Sequence, residues 1–355
     1  MKIRAPKQLI ESILINLQPF LEKKDATQIT SHVYIQAKEN HCTIKATDSE
    51  IGLLITTDNL IIDHEGTITT NGKKLLDIIR ILKDDEIILE ELDENLLIRQ
   101  HKSKFKLPIF NFQNFPTFPT LENKSQISLD STSLIKALKN ISSSIDSNNP
   151  KFELNGALLN IKEQNTELVG TDTRRLSLFT INNISQNQLS IIIPKKAIIE
   201  IQKLFIDQIN IYYDETNLII QNSNYFFFSR LINGKFPDYE RIIPKESQHT
   251  IKLPKKEMLD AIKMITTISH EITISFLPNV IIFNSLRADN IEAKTELPFD
   301  TGLNEPFDLN VNSRYLLDFI SLVNEDYFEI LLNEPTLPFV LKDKQFITVI
   351  MPIII

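Results

Sequence analysis

The segment LIESIL at residues 9–14 recurs as LIKALK at residues 134–139 and as MLDAIK at residues 258–263. The spacings between these segments are 125 and 124 residues. Each has apolar residues at its first, second and fifth positions, which is the spacing of a helix that packs one face against a core. A repeat of this length determines the architecture of the whole chain. It predicts three similar units, each opening with an amphipathic helix.

A second helical segment follows in each unit, at residues 73–79, 195–201 and 313–319. Alternating, β-branched and aromatic runs joined by polar turns surround the helices, and they indicate antiparallel strands. One such hairpin, DENLLI at residues 93–98, is repeated as ETNLII at residues 215–220. The sequence therefore predicts an α+β fold of three tandem similar domains, each with two helices packed on antiparallel sheets.

The predicted domains end at similar dipeptides. Phe115-Pro116 closes the first unit and Phe236-Pro237 the second, 121 residues apart. Because proline lacks a backbone donor and holds its predecessor in an extended conformation, each dipeptide is typical of a strand that leaves a sheet. We expect domains at 1–121, 122–246 and 247–355. The alternative is chance recurrence in a composition rich in Ile and Lys, but four features recur in the same order.

The composition is typical of a soluble globular protein. The 355 residues are 42% hydrophobic and 24% charged, and no apolar run approaches the roughly 18 residues of a membrane span. The amino-terminal residues MKIRAP lack the continuous apolar stretch of a secretory signal. We therefore expect a cytoplasmic protein.

The potentially reactive side chains are few. The single cysteine, Cys42, lies in an alternating stretch that predicts a strand, and we interpret it as a buried structural thiol. The six histidines are scattered without metal-ligand spacing, so neither a metal nor another cofactor is expected. No phosphate-binding loop, nucleophile elbow or His-Glu-x-x-His motif occurs, which argues against an enzyme.

The net charge of −8 is distributed unevenly along the chain. Fourteen Lys and Arg but six Asp and Glu lie in six helical segments, at residues 7–18, 72–83, 131–142, 194–205, 255–266 and 312–323. These segments carry +8, so the remainder carries −16. Basic helix exteriors are often merely solvated, but three such helix pairs also suit a curved surface facing a polyanion.

Four segments resemble a known family. They are VGTDTRRL at residues 169–176, LINGKFPDYERIIP at 231–244, NSRYLLD at 312–318 and VIMP at 349–352. Taken in order on the repeat, they make the chain similar to the bacterial sliding clamps, the beta subunits of replicative DNA polymerase III, over essentially its whole length. The resemblance implies the DNA clamp fold and a non-catalytic processivity factor.

The resemblance also implies how the protein would hold DNA and bind its partners. The resemblance implies a head-to-tail homodimer closed into a ring, with helices facing duplex DNA and sheets outside. Because release requires ring opening, phosphate contacts can be weak and independent of sequence, which permits sliding. The implied protein partners are the replicative polymerase, the clamp loader, other polymerases and repair proteins, which dock through short apolar peptides.

The resemblance assigns roles to three sets of residues. Those matching the peptide pocket between the second and third domains are Leu154, Thr171, Thr173, Arg175, Leu176, Pro237, Arg241, Ile242, Asn312, Tyr315, Val349, Ile350, Met351 and Pro352. Those matching DNA-facing positions are Lys24, Lys73, Arg80 and Lys196. Those matching the dimer interface are Phe105, Leu107 and Ile268. The alternatives are core packing for the apolar members and solvated surface charge for the cations.

The chain departs from the family at two places. Thr173-Arg174 replaces the usual Gly-His beside the pocket, and the chain ends in MPIII where many relatives end in Met-Arg-Leu. We therefore expect a shifted peptide preference. The rival to a clamp, besides an enzyme, is a protein-interaction scaffold of repeated sheet domains that does not encircle DNA.

Overall fold

The computed structural model describes residues 1–23, 28–286 and 292–354. Within them, six α-helices begin and end within two residues of the predicted segments. They are α1 (Lys7–Leu17), α2 (Gly72–Ile81), α3 (Ser131–Ser142), α4 (Lys195–Leu204), α5 (Lys255–Thr266) and α6 (Ser313–Leu322). The predicted helices are confirmed. None of those described combines the length and the apolar character that crossing a bilayer requires.

The rest of the described chain consists mainly of strands and turns. The strands are β1 (Lys2–Pro6), β2 (His32–Lys38), β3 (His41–Thr47), β4 (Ile51–Thr57), β5 (Ile61–His64), β6 (Gly66–Asn71), β7 (Glu86–Leu92), β8 (Asn95–Gln100), β9 (Ser103–Phe110), β10 (Ser125–Ile127), β11 (Gly156–Ile161), β12 (Asn165–Thr171), β13 (Arg175–Asn182), β14 (Leu189–Pro194), β15 (Asn210–Tyr213), β16 (Asn217–Gln221), β17 (Tyr225–Arg230), β18 (His249–Pro254), β19 (Glu271–Leu277), β20 (Val280–Ser285), β21 (Lys294–Pro298), β22 (Phe307–Asn312), β23 (Tyr327–Leu332), β24 (Phe339–Asp343) and β25 (Phe346–Ile350).

The chain divides into two compact units. The first comprises Met1–Ser131 with Glu200–Leu231, and the second Thr132–Ile199 with Ile232–Ile355. The first unit holds a 13-stranded sheet, in the order β10-β15-β16-β17-β4-β3-β2-β6-β9-β8-β7-β1-β5. All its neighbouring strands are antiparallel, and β17 joins β4 through the register Tyr225↔Ile55 to Ser229↔Ile51. Strands of the middle repeat thus continue a sheet of the first repeat.

The second unit holds two further antiparallel sheets. The larger has eight strands, in the order β14-β11-β12-β13-β25-β24-β23-β18, and the smaller has four, in the order β21-β20-β19-β22. In the larger sheet, β13 pairs with β25 from Arg175↔Ile350 to Phe179↔Phe346. Strands of the middle and last repeats therefore share this sheet. The predicted combination of helices and antiparallel sheets is confirmed.

Helices pack in pairs within each unit, α1 against α2 in the first and α5 against α6 in the second. The apolar stripe found in the sequence is the buried face: Ile10, Ile13 and Leu14 of α1 are each at most 4% exposed. Asparagine side chains begin α2 and α6. Asn71 accepts a hydrogen bond from the Lys74 amide at 2.9 Å, satisfying one of the donors left free at a helix start.

A tight turn is repeated in detail at an offset of 124 residues. Thr47 donates a hydrogen bond from Oγ1 to the Ile51 carbonyl (2.8 Å) and accepts one from the Ser49 amide (2.9 Å). Asp48 Oδ1 accepts from the amides that follow, and Ser49 has a φ of +75°. Residues 171–175 form the same bonds, and the middle residue has a φ of +73°. The duplication therefore extends to individual turns.

Candidate functional site

A cavity of about 220 Å³ in the second unit contains nine of the predicted pocket residues. Its lining consists of Lys151, Leu154, Thr171, Thr173, Arg174, Arg175, Leu176, Phe236, Pro237, Tyr239, Ile242, Val349 and Met351. The nine predicted members are Leu154, Thr171, Thr173, Arg175, Leu176, Pro237, Ile242, Val349 and Met351. The volume is below the roughly 300–1,000 Å³ of typical ligand pockets. It suits one or two apolar side chains rather than a large compact ligand.

The floor of the cavity is apolar and buried. Leu176 on β13 and Val349 on β25 are directly paired across the sheet, and each is 2% exposed. Leu154 joins them from a short 3-10 helix, Phe152–Leu154, and all three belong to one hydrophobic cluster. At the mouth, Ile242 and Met351 remain 44% and 40% exposed. An apolar ligand group would therefore find a preformed floor and two apolar side chains still open to solvent.

A polar network behind the cavity holds one of its walls. The Tyr239 hydroxyl donates a hydrogen bond to Glu167 and accepts one from Asn160 Nδ2 at 3.1 Å. Lys162 Nζ lies 2.7 Å from Glu167 and 2.8 Å from Glu240. Burial, reinforced by the bond to Glu167, raises the pKa of Tyr239 to about 12. The phenol is thus protonated at neutral pH and ties the segment after Pro237 to β11 and β12.

The turn between β12 and β13 forms the opposite wall. Thr171 Oγ1 donates to the Arg175 carbonyl at 2.6 Å, and Asp172 Oδ1 accepts from the amides of Arg174 and Arg175 at 3.0 and 2.9 Å. Thr173 lies in the left-handed region, where a β-branched residue is strained. The usual family glycine at this position has a physical reason, and this chain retains the turn without it.

Arg175 lines the cavity but is occupied by its own chain. Only 8% of the residue is exposed, and its Nε lies 3.1 Å from Asp172. Nη1 lies 2.6 Å from Asp318 on α6, Nη2 donates to the Ser143 carbonyl, and the guanidinium stacks 4.5 Å above the Tyr315 ring. It therefore acts as a cross-link between β13 and α6 as much as a polar rim.

Five predicted pocket residues lie outside the cavity lining as described. They are Arg241, Asn312, Tyr315, Ile350 and Pro352. Side chains alternate along β25, so Ile350 points to the face opposite Val349, where it is 0% exposed. The Arg241 side chain is 85% exposed and pairs with Asp238 at 2.7 Å.

The other three have structural positions nearby. Asn312 begins α6 by accepting a hydrogen bond from the Arg314 amide at 3.0 Å. Tyr315 lies beneath Arg175, and Pro352 is buried. These positions support the cavity walls rather than facing into the space.

Four lining residues were not among the predicted pocket residues: Lys151, Arg174, Phe236 and Tyr239, although the departure from the family had placed Arg174 beside the pocket. Phe236 and Tyr239 flank the predicted Pro237, and the FPDY segment was the available signal. Lys151 and Arg174 lie in turns, where no periodicity indicates which way a side chain points.

The DNA-facing prediction falls on exposed helix positions. Lys73 and Arg80 lie on α2 and Lys196 on α4, and all three are exposed. Lys24 lies outside the described residues. Arg80 is in the last turn of its helix, where the macrodipole favours a cation. The geometry is suited to mobile contacts with an anionic surface.

The dimer prediction falls on two separate elements. Phe105 is half-buried and Leu107 is 7% exposed on β9, while Ile268, just after α5, is 43% exposed. Among the described strands, β9 pairs only with β8 from Ser103 to Leu107, since its contact with β6 begins at Ile109. From Ser103 to Leu107, the edge of β9 opposite β8 therefore has backbone groups that could pair with another chain.

Three family models match consecutive parts of the chain. They describe the N-terminal, central and C-terminal domains of the DNA polymerase III beta subunit, and they match residues 1–119, 128–238 and 240–354. The beta sliding clamp of Helicobacter pylori J99 is 38% identical over 352 residues, 97% of this chain and 94% of that protein.

Solved structures are similar over the full length. A Helicobacter pylori beta clamp bound to a DNA ligase peptide has a TM-score of 0.94 at 38% identity, with 100% of both chains covered. A DNA polymerase III subunit beta of Pseudomonas aeruginosa has a TM-score of 0.91 at 21% identity, again over 100% of both chains. The second likeness concerns the fold alone.

Proposed function

Because this chain belongs to the family of DNA polymerase III beta subunits, the sliding clamps, we propose that two copies form a closed ring around duplex DNA. As a family member it is a processivity factor for DNA replication, not an enzyme. The observation that carries the proposal is the succession of six helices, two in each repeat, with antiparallel sheets, in a chain that is similar over its whole length to a solved beta clamp. The ring would tether a polymerase to its template.

The exposed basic helix positions support sliding. Lys73, Arg80 and Lys196 place cations at exposed helix positions, where they can interact with any phosphate without reading bases. Encirclement supplies the long residence time, because the ring has to open before DNA leaves. The attraction therefore needs only modest strength.

Two free sheet edges support a head-to-tail dimer. From Ser103 to Leu107, β9 pairs on one side with β8, and β21 is an edge strand of the four-stranded sheet. β9 exposes Lys104 and Lys106, whereas β21 exposes Lys294 and Glu296, which pair with each other at 2.6 Å, so the proposal rests on the unpaired strand edges and not on charge. Pairing β9 of one protomer with β21 of the next is a heterologous contact, which two copies can close into a ring.

The cavity in the second unit supports peptide binding. Its apolar floor, open mouth and small volume fit apolar side chains presented by an extended peptide. The Helicobacter pylori clamp of similar structure was crystallised with a DNA ligase peptide. We propose that a polymerase, a clamp loader and repair proteins use this cavity in turn.

The experiment that tests the ring compares retention of the protein on circular and on linear DNA. Protein loaded on nicked circular DNA should remain bound through gel filtration and should be lost after a restriction enzyme linearises the circle. Ile268→Asp, designed to weaken the dimer contact, should reduce retention on the circle. Equal retention on circular and linear DNA would instead support a scaffold that binds without encirclement.

Two smaller proposals accompany the ring. We place the domain boundaries after residues 121 and 246, and we place the protein in the cytoplasm at the nucleoid. A fluorescent fusion that forms replication-dependent foci on the nucleoid would support that location, and a uniform distribution during replication would contradict it.

A further inference from the structure

Two cations at the mouth of the cavity have no ionic partner. Lys151 and Arg174 both line the cavity and are both exposed. Among the described residues, no carboxylate lies within ion-pair distance of either side chain. Each therefore presents a positive side chain without a direct ion pair beside an apolar floor.

Five carboxylates around the cavity are already engaged with other cations. Asp172 and Asp318 both bind Arg175, and Asp238 binds the exposed Arg241. Behind the wall, Glu167 and Glu240 share Lys162, as described above. Glu153, which lies between Lys151 and Leu154, is half-buried and forms no ion pair with Lys151 or Arg174. The cavity surroundings are therefore not positive overall, but Lys151 and Arg174 are the two cations at the mouth that remain available to a ligand carboxylate.

The backbone holds Arg174 in place. Its amide donates to Asp172 Oδ1 at 3.0 Å, and its carbonyl accepts from the Met351 amide at 2.9 Å. The preceding Thr173 fixes the turn with its positive φ. The backbone of Arg174 is therefore held by Asp172 on one side and by Met351 on the other, and only its side chain can move to meet a ligand.

Lys151 is placed by a different element. It immediately precedes the 3-10 helix Phe152–Leu154, whose last residue belongs to the apolar floor. The Lys151 amide donates to Asn149 Oδ1 at 3.0 Å, which anchors the start of that helix. The two cations thus come from separate segments and share one apolar floor.

We propose that this cavity selects peptides that carry a carboxylate side chain next to their apolar anchors, with Arg174 as the discriminating residue. This rests on the proposed function, in which the cavity binds partner peptides. Arginine stays charged at all physiological pH values and can bind a carboxylate through two parallel hydrogen bonds. The usual family histidine at this position is largely neutral at pH 7.

The effect should be modest because both side chains are exposed to solvent. Exposed ion pairs contribute little, so we expect an acidic peptide to bind about 2- to 6-fold more tightly than its amide counterpart at low salt. Screening should reduce this ratio as salt increases. A neutral apolar peptide should show much less salt dependence.

The test uses pairs of labelled synthetic peptides with leucine and phenylalanine anchors. In each pair, one position outside the anchors is aspartate in one peptide and asparagine in the other, and the position is moved along the series. Fluorescence anisotropy then gives the affinity ratio for the unmodified protein, Arg174→Gln, Lys151→Gln and the control Lys256→Gln, an exposed lysine outside the cavity lining.

The proposal expects at least one position at which aspartate binds more tightly. It also expects Arg174→Gln to bring that ratio close to one, while Lys256→Gln leaves it unchanged. Equal binding of aspartate and asparagine peptides at every position would overturn the selectivity and leave peptide binding intact. Failure of all peptides to bind at millimolar concentration would overturn peptide binding by the cavity as well.

Discussion

Arg175 Nη1 on β13 lies 2.6 Å from the Asp318 carboxylate on α6, so one charged pair connects a cavity wall to the last helix of the chain. The arginine side chain is 7% exposed and the aspartate 39%. Because removing one partner leaves a desolvated guanidinium, this pair should matter more than an ordinary surface ion pair. It makes the cavity dependent on α6, although α6 contributes no residue to the lining as described.

Asp318→Asn should lower the free energy of unfolding by about 1–2 kcal/mol. It removes a charge-assisted hydrogen bond to a buried arginine, although Asp172 and the Ser143 carbonyl remain as acceptors. Urea denaturation followed by circular dichroism measures the loss. The control is Asp238→Asn, whose partner Arg241 is 85% exposed and which should cost under about 0.5 kcal/mol. Equal losses for both variants would contradict the special role of the Asp318 pair.

Thr173→Gly should stabilise the protein. Left-handed geometry costs a residue with a side chain about 1–2 kcal/mol, whereas the extra freedom of glycine in the unfolded chain costs about 0.5–1 kcal/mol, which leaves a net gain of about 0.5–1 kcal/mol. Thermal unfolding of the peptide-free protein measures it. Thr173→Ala keeps a Cβ and should recover less, so an equal gain from alanine would argue against backbone strain as the cause.

The sequence predicted the helices more completely than the cavity. The helical period of 3.6 residues and the repeat near 124 residues depend on spacing alone, which is why the positions of α1 to α6 were predictable. The apolar floor was predictable as well. The sequence did not show which of the neighbours Val349 and Ile350 faces the cavity. That depends on the pairing of Leu176 with Val349, because a shift of one residue reverses the face.

Charged residues were harder to place for another reason. Arg175 and Arg241 have the same side chain and both match the family pocket, yet one is 8% exposed and the other has an 85% exposed side chain. The difference comes from Asp318, 143 residues further along the chain, which no local pattern reveals. Arg174 was predictable only as a departure from the usual histidine.

Tyr239→Phe should weaken peptide binding, although its phenyl group remains in the cavity wall. The variant loses the hydrogen bonds to Glu167 and Asn160, so the wall should become more mobile and the peptide should dissociate faster, by about 3- to 10-fold. Surface plasmon resonance measures the dissociation rate. Glu167→Gln should have a similar effect, and in the double variant the two losses should not add.

The same tyrosine predicts a dependence on alkaline pH. Its pKa is raised to about 12 in the folded state, above the value near 10 of an unfolded tyrosine. The neutral phenol therefore contributes stability that is fully present below pH ~10 and is lost as pH rises through about 12. The stability advantage over Tyr239→Phe should be constant from pH 7 to 9 and smaller at pH 11. A constant difference up to pH 11.5 would contradict the assignment.

Cys42 should be unreactive in the native protein. The thiol is 0% exposed on β3, and burial raises its pKa to about 12. At pH 8 it is therefore neither accessible to a reagent nor deprotonated. A chromogenic disulfide reagent should modify it only after denaturant is added. Ser321→Cys in a Cys42→Ala background places a thiol at an exposed position and should react within minutes. Rapid modification of Cys42 without denaturant would contradict its burial.

Ile268→Asp should convert the proposed dimer into monomers of 40.9 kDa. The side chain is 43% exposed in the single chain, and in the proposed dimer it would be covered, where an unpaired carboxylate is strongly disfavoured. Sedimentation velocity at micromolar concentration measures the mass. Ile184→Asp is the matched control, because this isoleucine is 90% exposed and lies outside the proposed contact. If both variants remain dimeric, the contact lies elsewhere, and if both dissociate, the effect is due to charge alone.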